Sequence, residues 1–233
     1  MKSYDKTNYI PKIAITSEIA CGILCIFGVI LSLLYYARDG YFHWSRRLLY
    51  FTAQSNVWLG LFFIFLFFRR LTFAIRNESV YFLIKYVFTV SITMTGIVFC
   101  FLLAPLAPKS YNVWSLSGVI THVFTPILAI LSLLFSPKPC KIETKHCFIA
   151  LLPPLLYFST VITMSFFNFD FGRGDNFVYF FLNFNSRTLA FAVDFTSSPP
   201  LIGSTYWLIV LFFAFLSLAF LLKKLCNNRI FKI

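Results

Sequence analysis

The chain has 233 residues, of which 59% are hydrophobic and only 12% charged, with a mean hydropathy of +0.81, a make-up that excludes an ordinary water-soluble domain. The net charge of +12 does not point to nucleic acid, because the Lys and Arg residues are scattered through short connections and do not line a polar face. The composition predicts an all-α, polytopic membrane protein.

A bilayer core about 30 Å thick takes roughly 20 apolar residues per helical crossing. Six such runs are predicted, at 13–37, 48–68, 81–104, 116–135, 147–167 and 205–222. The first follows Lys2, Lys6 and Lys12, but it is about twice the length of a signal-peptide core and lacks a small-residue cleavage site, so it reads as an uncleaved span. The second opens on Tyr50-Phe51-Thr52-Ala53-Gln54-Ser55-Asn56, an unusually polar start to an apolar helix. Thr93, Thr95 and Gly96 lie in the third, whose opening residues include Lys85. In the fourth, Gly118, Thr121 and Thr125 are predicted to share a face with His122. Pro153 and Pro154 interrupt the fifth, where Ser159, Thr160 and Thr163 are expected to extend a polar lining. The 37 residues of 168–204 hold an aromatic run from Phe177 to Phe184, ahead of Arg187, that suits either a short interfacial helix or an aromatic belt. No run alternates apolar and polar residues as a membrane barrel strand does. The whole chain, 1–233, is expected to be one membrane domain.

Positive charge sets the expected orientation. Lys2, Lys6, Lys12, Arg69, Arg70, Arg76, Lys138, Lys141, Lys145, Lys223, Lys224, Arg229 and Lys232 fall on the side of the termini. Arg38, Arg46, Arg47, Lys109, Arg173 and Arg187 fall on the other, so both termini are expected in the cytoplasm of a cell-membrane protein. Lys85 is set aside as the start of a span. Five of the cysteines then lie toward the cytoplasmic half, where thiols stay reduced, and they read as small packing residues.

Polar groups inside the hydrocarbon layer are costly and mark the first place to look for function. His122 lies about 9 Å into its span and Thr52 about 6 Å into its own, both from the outer end, so a hydroxyl and an imidazole are expected at similar depth. An imidazole can take the proton of a threonine hydroxyl and make it a nucleophile, while the amide of Asn56 or Gln54 can stabilise a developing oxyanion. The competing readings are structural: a helix-start cap at Thr52 and a histidine bonded for packing. No acidic third member is evident, although Asp170, Asp175 and Asp194 lie on the outer loop and can approach. No metal-ligand cluster and no Gly-rich phosphate loop occur, so no metal or other cofactor is implied.

Phe51-Thr52-Ala53-Gln54-Ser55-Asn56, Thr95-Gly96, His122-Val123-Phe124-Thr125-Pro126 and the aromatic loop segment resemble the androgen-induced membrane protein family, and the bacterial branch in particular. Animal members hydrolyse fatty-acid esters of hydroxy fatty acids. The resemblance implies a nucleophile at Thr52 assisted by His122, a membrane lipid or fatty-acyl substrate, and substrate-binding roles for Gln54, Ser55, Asn56, Thr95 and Thr125. It departs from the family where a Tyr-Pro pair is usual in the outer loop and this chain reads Val178-Tyr179-Phe180-Phe181. Acyl transfer to another lipid, non-catalytic lipid binding and small-molecule transport are the alternatives. The oligomeric state is left open.

Overall fold

The computed structural model describes residues 6–38, 44–72, 78–106, 112–136, 140–172, 174–183, 193–194 and 201–230. Six helices are long and apolar enough to cross a membrane: Ile13–Arg38, Phe51–Leu71, Glu78–Leu103, Leu116–Leu134, Thr144–Phe166 and Ser204–Asn228. The protein is an all-α, multi-pass membrane bundle. Helices are the outcome because hydrocarbon offers no partner for a free backbone N–H or C=O, so each segment must satisfy its own.

The spans are built from α1 (Lys6–Arg38), α2 (Phe51–Thr72), α3 (Glu78–Val98), α4 (Leu116–Val119), α5 (Thr125–Leu134), α6 (Thr144–Ile149), α7 (Leu152–Phe166) and α8 (Ser204–Ile230). Span four starts where the Ser115 hydroxyl accepts the backbone N–H of Gly118 at 3.3 Å, an N-cap. Span five is two helices, because Pro153 and Pro154 lack the N–H groups that would carry α6 onward through Ala150 and Leu151. Before α8, a two-residue antiparallel ladder pairs β1 (Val193–Asp194) with β2 (Leu201–Ile202). The aromatic segment forms no interfacial helix over its described part, only a single 3-10 turn at Phe180–Leu182; Phe184 and Arg187 lie outside the described residues.

α1 packs on α2 and α5, α3 packs on α2 and α5, and α8 covers the other face of α3. Small residues allow the closest approaches. A Cβ on Gly28 of α1 would lie 2.7 Å from the Thr121 methyl, and one on Gly60 of α2 2.9 Å from Ile26. Between α3 and α8, the Tyr86 hydroxyl donates to the Ala219 carbonyl at 2.7 Å.

Near the end of the bundle where the termini lie, Glu18 of α1 is only 1% exposed and is paired with both Lys85 of α3 and Arg70 of α2. Lys85, 3% exposed, also donates to the Ser132 carbonyl of α5 at 3.3 Å. This corrects the placing of Lys85 at the start of a span. α3 begins at Glu78, so Lys85 lies about two turns inside it, where an ammonium survives only against a carboxylate. One carboxylate thus ties together four helices. Removing one member of a buried ion pair leaves a charge without compensation, which typically costs about 3–5 kcal/mol, whereas exchanging the pair for apolar residues is often neutral. Glu18→Ala is therefore expected to destabilise the bundle by that order, and the double variant Glu18→Leu with Lys85→Met by clearly less. Unfolding of detergent-solubilised protein measures both, and equal losses would show that the pair does not act as a unit.

Candidate functional site

At the opposite end of the bundle, spans three and four each widen by a π turn, at Phe99–Leu103 and Ile120–Phe124. Such turns insert one residue into the α ladder and rotate the rest of the helix about its axis; they are frequent at functional sites. The two turns meet. The His122 ring stacks on Phe99 with centroids 3.9 Å apart and planes at 3°, and a Cβ on Gly96 would sit 2.6 Å from the His122 carbonyl oxygen. Gly96 is thus required for α3 to approach this backbone. The His122 ring reaches the backbone carbonyl of Thr95, while its buried Nδ1 has no hydrogen-bond partner among the described residues.

Thr52 and Thr95 both line a small cavity of about 30 Å³, shared with Met94, Phe158, Tyr179 and Phe215. That volume admits a water molecule. The Thr95 hydroxyl is already bound to the Ile92 carbonyl at 2.7 Å. Above the cavity, the turn at 179–182 acts as a plug: Phe181 and Leu182 are buried, Tyr179 stacks on Phe181 at 5.0 Å, and the turn packs on Trp207 of α8. The Tyr179 phenol lies beside the hydroxyl and backbone of Thr52. Burial, reinforced by Tyr50, pushes that phenol up to about 12, so it is a neutral hydrogen-bonding group throughout the physiological range.

The shared polar face expected around His122 is divided by the π turn. Thr121 and Thr125 turn to Asn56 of α2: the Asn56 side-chain N–H donates to the Thr52 carbonyl at 2.9 Å and the Thr121 carbonyl at 3.3 Å, and its carbonyl accepts the Thr125 hydroxyl at 2.9 Å. His122 turns instead to α3. Among the described residues no hydrogen bond joins Thr52 to His122. Ser55 is buried and bonded to the Thr52 carbonyl at 3.1 Å. Asn56 and Thr125 therefore join helices, Ser55 bonds within its own, and Gln54 lines a separate lateral groove.

Ser159, Thr160 and Thr163 do not extend the interior lining. All three are exposed on α7 and donate to carbonyls of their own helix at 2.7 to 3.0 Å. Ordinary helical periodicity shows why: Tyr157, Val161 and Ser165 occupy the buried face. Cys21 and Cys25 pack at 3.8 Å, with the Cys21 thiol directed at the Thr125 carbonyl. Among the described residues no three His, Cys, Asp or Glu side chains converge as a metal set.

The sequence reading missed Tyr179, which is visible there only as a departure from a Tyr-Pro pair, and Phe99, which carries no sequence signal of its own. It also missed the rim. Arg46 pairs with Asp170 at 2.6 Å and lies over the Phe169 ring, and Arg47 lies between Tyr36 and Tyr50, 3.9 and 4.4 Å from their centroids. Asp170 also accepts the backbone N–H groups of Gly172 and Gly174 at 2.7 and 3.2 Å. Asp170 is thus committed to the loop and not to His122. The Asp194 side chain lies outside the described residues.

Set against known protein families, characterised proteins and solved structures, the chain matches none of them.

The hydrogen bonds from the loop, together with Arg46, hold the Asp170 carboxyl below the usual carboxylate range. A depressed carboxyl contributes stability that is complete above its ordinary value of about 3.9 and is lost as pH falls through the folded value. Hydrogen exchange in 169–175 is expected to stay constant from about pH 7 to 5 and to accelerate below about 4, beyond its intrinsic pH dependence. Asp170→Asn removes that transition. A step that persists in Asp170→Asn assigns it to another group.

Proposed function

We propose that the protein is an intramembrane lipid-ester hydrolase, with Thr52 as nucleophile and His122 as proton acceptor, resembling the androgen-induced membrane protein family in both residues. One observation carries the reading: Thr52 lines a small cavity together with Thr95, which is also the neighbour of His122. In this reading the Thr52 hydroxyl attacks the ester carbonyl and its proton passes, through a water in the cavity, to a ring nitrogen of His122. The tetrahedral oxyanion accepts a hydrogen bond from the neutral Tyr179 phenol. The C–O bond to the alcohol breaks, the alcohol leaves with the proton held by His122, and an acyl-threonine remains. Water then attacks the acyl carbon, returns its proton through His122 to Thr52 and releases the fatty acid. Gln54 meets the substrate along its chain; Asn56 and Thr125 position α2 against span four, and Ser55 binds the Thr52 carbonyl within α2.

A second reading, lipid binding without chemistry, is favoured by one observation: the Asn56 bonds fasten Thr52 and span four together while Thr52 and His122 share no hydrogen bond. An alkyl fluorophosphonate on solubilised protein separates the two. The hydrolase reading expects labelling at Thr52, its loss in Thr52→Ala, and a fall of roughly 10²-fold or more in the rate for His122→Ala, with both variants folded. A wild-type protein that never reacts, or Thr52→Ala that reacts equally, leaves lipid binding.

The excess of Lys and Arg at the terminal end of the bundle supports cytoplasmic termini in a cell membrane. In intact cells and a cysteine-free background, a membrane-impermeant maleimide is expected to label Asp175→Cys but not Asn228→Cys, both positions being exposed. The reverse pattern inverts the orientation.

A further inference from the structure

α7 stands apart from the other spans and touches them mainly through rings: Phe51 of α2 meets Tyr157 at 5.0 Å and Phe158 at 6.4 Å. The gap that remains is a groove of about 410 Å³ between α7 and the pair α2 and α3, bounded by Gln54, Trp58, Phe88, Leu156, Tyr157 and Thr160 among others. On α7 it extends from Leu152 to Met164, about 18 Å at 1.5 Å per residue. One leaflet of hydrocarbon is about 15 Å deep. The groove opens sideways beside Leu152 and Leu156, exposed apolar side chains on a membrane-spanning helix, so bilayer hydrocarbon is what adjoins it.

Two polar groups of this groove lie where the first turn of α2 meets α7. Gln54 is in the first turn of α2, and the Gln54 side chain makes no hydrogen bond to a described residue. The Tyr157 side chain is 4% exposed, and its hydroxyl lies beside the Phe51 backbone and the Tyr179 phenol but completes no well-aligned hydrogen bond among the described residues. A buried hydroxyl without a partner is costly and calls for an acceptor. We infer that the groove holds one acyl chain of a bilayer lipid, entering laterally past α7, with the carbonyl at its head accepting hydrogen bonds from Tyr157 and Gln54. The wall between this groove and the Thr52 cavity is the Phe51 ring, which touches Trp58 on the groove side and Phe215 on the cavity side, both at 6.0 Å. Delivery of the chain to Thr52 rests on the hydrolase reading; occupation of the groove does not.

The test uses the full chain in lipid nanodiscs and two photo-crosslinkers: a long-chain fatty-acid methyl ester with a mid-chain diazirine, and the matching hydrocarbon without the ester. Adducts of the ester are expected to concentrate on Trp58 and Leu156. Val161→Trp, which fills the groove, is expected to lower them about tenfold, while adducts on the lipid-facing Phe213 of α8 stay constant. Tyr157→Phe deletes a hydroxyl without a partner, so the fold is retained, and it is expected to weaken ester labelling about threefold and leave hydrocarbon labelling unchanged. Adducts spread evenly over Trp58, Phe213 and Leu34 overturn the proposal, as does indifference of the ester probe to Tyr157→Phe. Groove labelling in a protein that never reacts with the fluorophosphonate keeps the acyl-chain site and discards the hydrolase.

Discussion

The buried carboxylate of Glu18 is the constraint on which the bundle turns. In hydrocarbon a lone carboxylate is prohibitive, so the helix that carries it must lie where cations can reach it. Lys85 and Arg70 supply them from two further helices, and the ammonium of Lys85 in turn takes a carbonyl of α5. Apolar spans in lipid gain no hydrophobic advantage from touching each other, since lipid is as apolar as leucine. Charge pairing, small-residue contacts at Gly28, Gly60 and Gly96, and hydrogen bonds such as Tyr86 to Ala219 therefore take over the task of choosing neighbours. They give α1, α2, α3 and α5 a close-set core.

Span five obeys a different rule. It has no buried charge and no glycine; α6 still packs on α3 and α8, but α7 meets the bundle mainly through Tyr157 and Phe158. Large rings hold helices apart, so the lateral groove lies here and not between α1 and α2. The same substitution of rings for backbone contact shapes the opposite end, where Tyr179, Phe181 and Trp207 close the space above Thr52. A tight ionic half and a looser aromatic half thus coexist in one short membrane domain.

The small cavity is a product of that division. Asn56 fastens α2 to span four through the Thr121 carbonyl and the Thr125 hydroxyl, and it holds the Thr52 carbonyl without occupying the Thr52 hydroxyl. On the facing side the paired π turns bring the His122 ring flat against Phe99 and leave one ring nitrogen without a hydrogen bond among the described residues. The Thr52 hydroxyl and the neutral Tyr179 phenol then share one small cavity, His122 lies behind its Thr95 wall, and the rim arginines are committed to tyrosine rings and to Asp170. Polar parts assembled in an apolar surround interact strongly, because little water screens them.

Reading the residues alone was enough to place six helical spans, because twenty-residue apolar runs have few other fates and hydrocarbon leaves the backbone one solution. It was enough, too, to single out Thr52, Asn56, Thr95, Thr125 and His122, since polar groups inside such runs are conspicuous. Partnership among them was decided only by the tertiary structure. The helical wheel placed His122 with Thr121 and Thr125, but a π turn breaks the wheel's period at that point, and the residues go to different helices. Periodicity within α7 sends Ser159, Thr160 and Thr163 outward, and which face is inward depends on neighbours. Lys85 looked like the edge of a span because its burial depends on a carboxylate 67 positions away in the chain. Hydropathy is a property of each segment and can be read there; pairing belongs to segments brought together, and no single segment contains it.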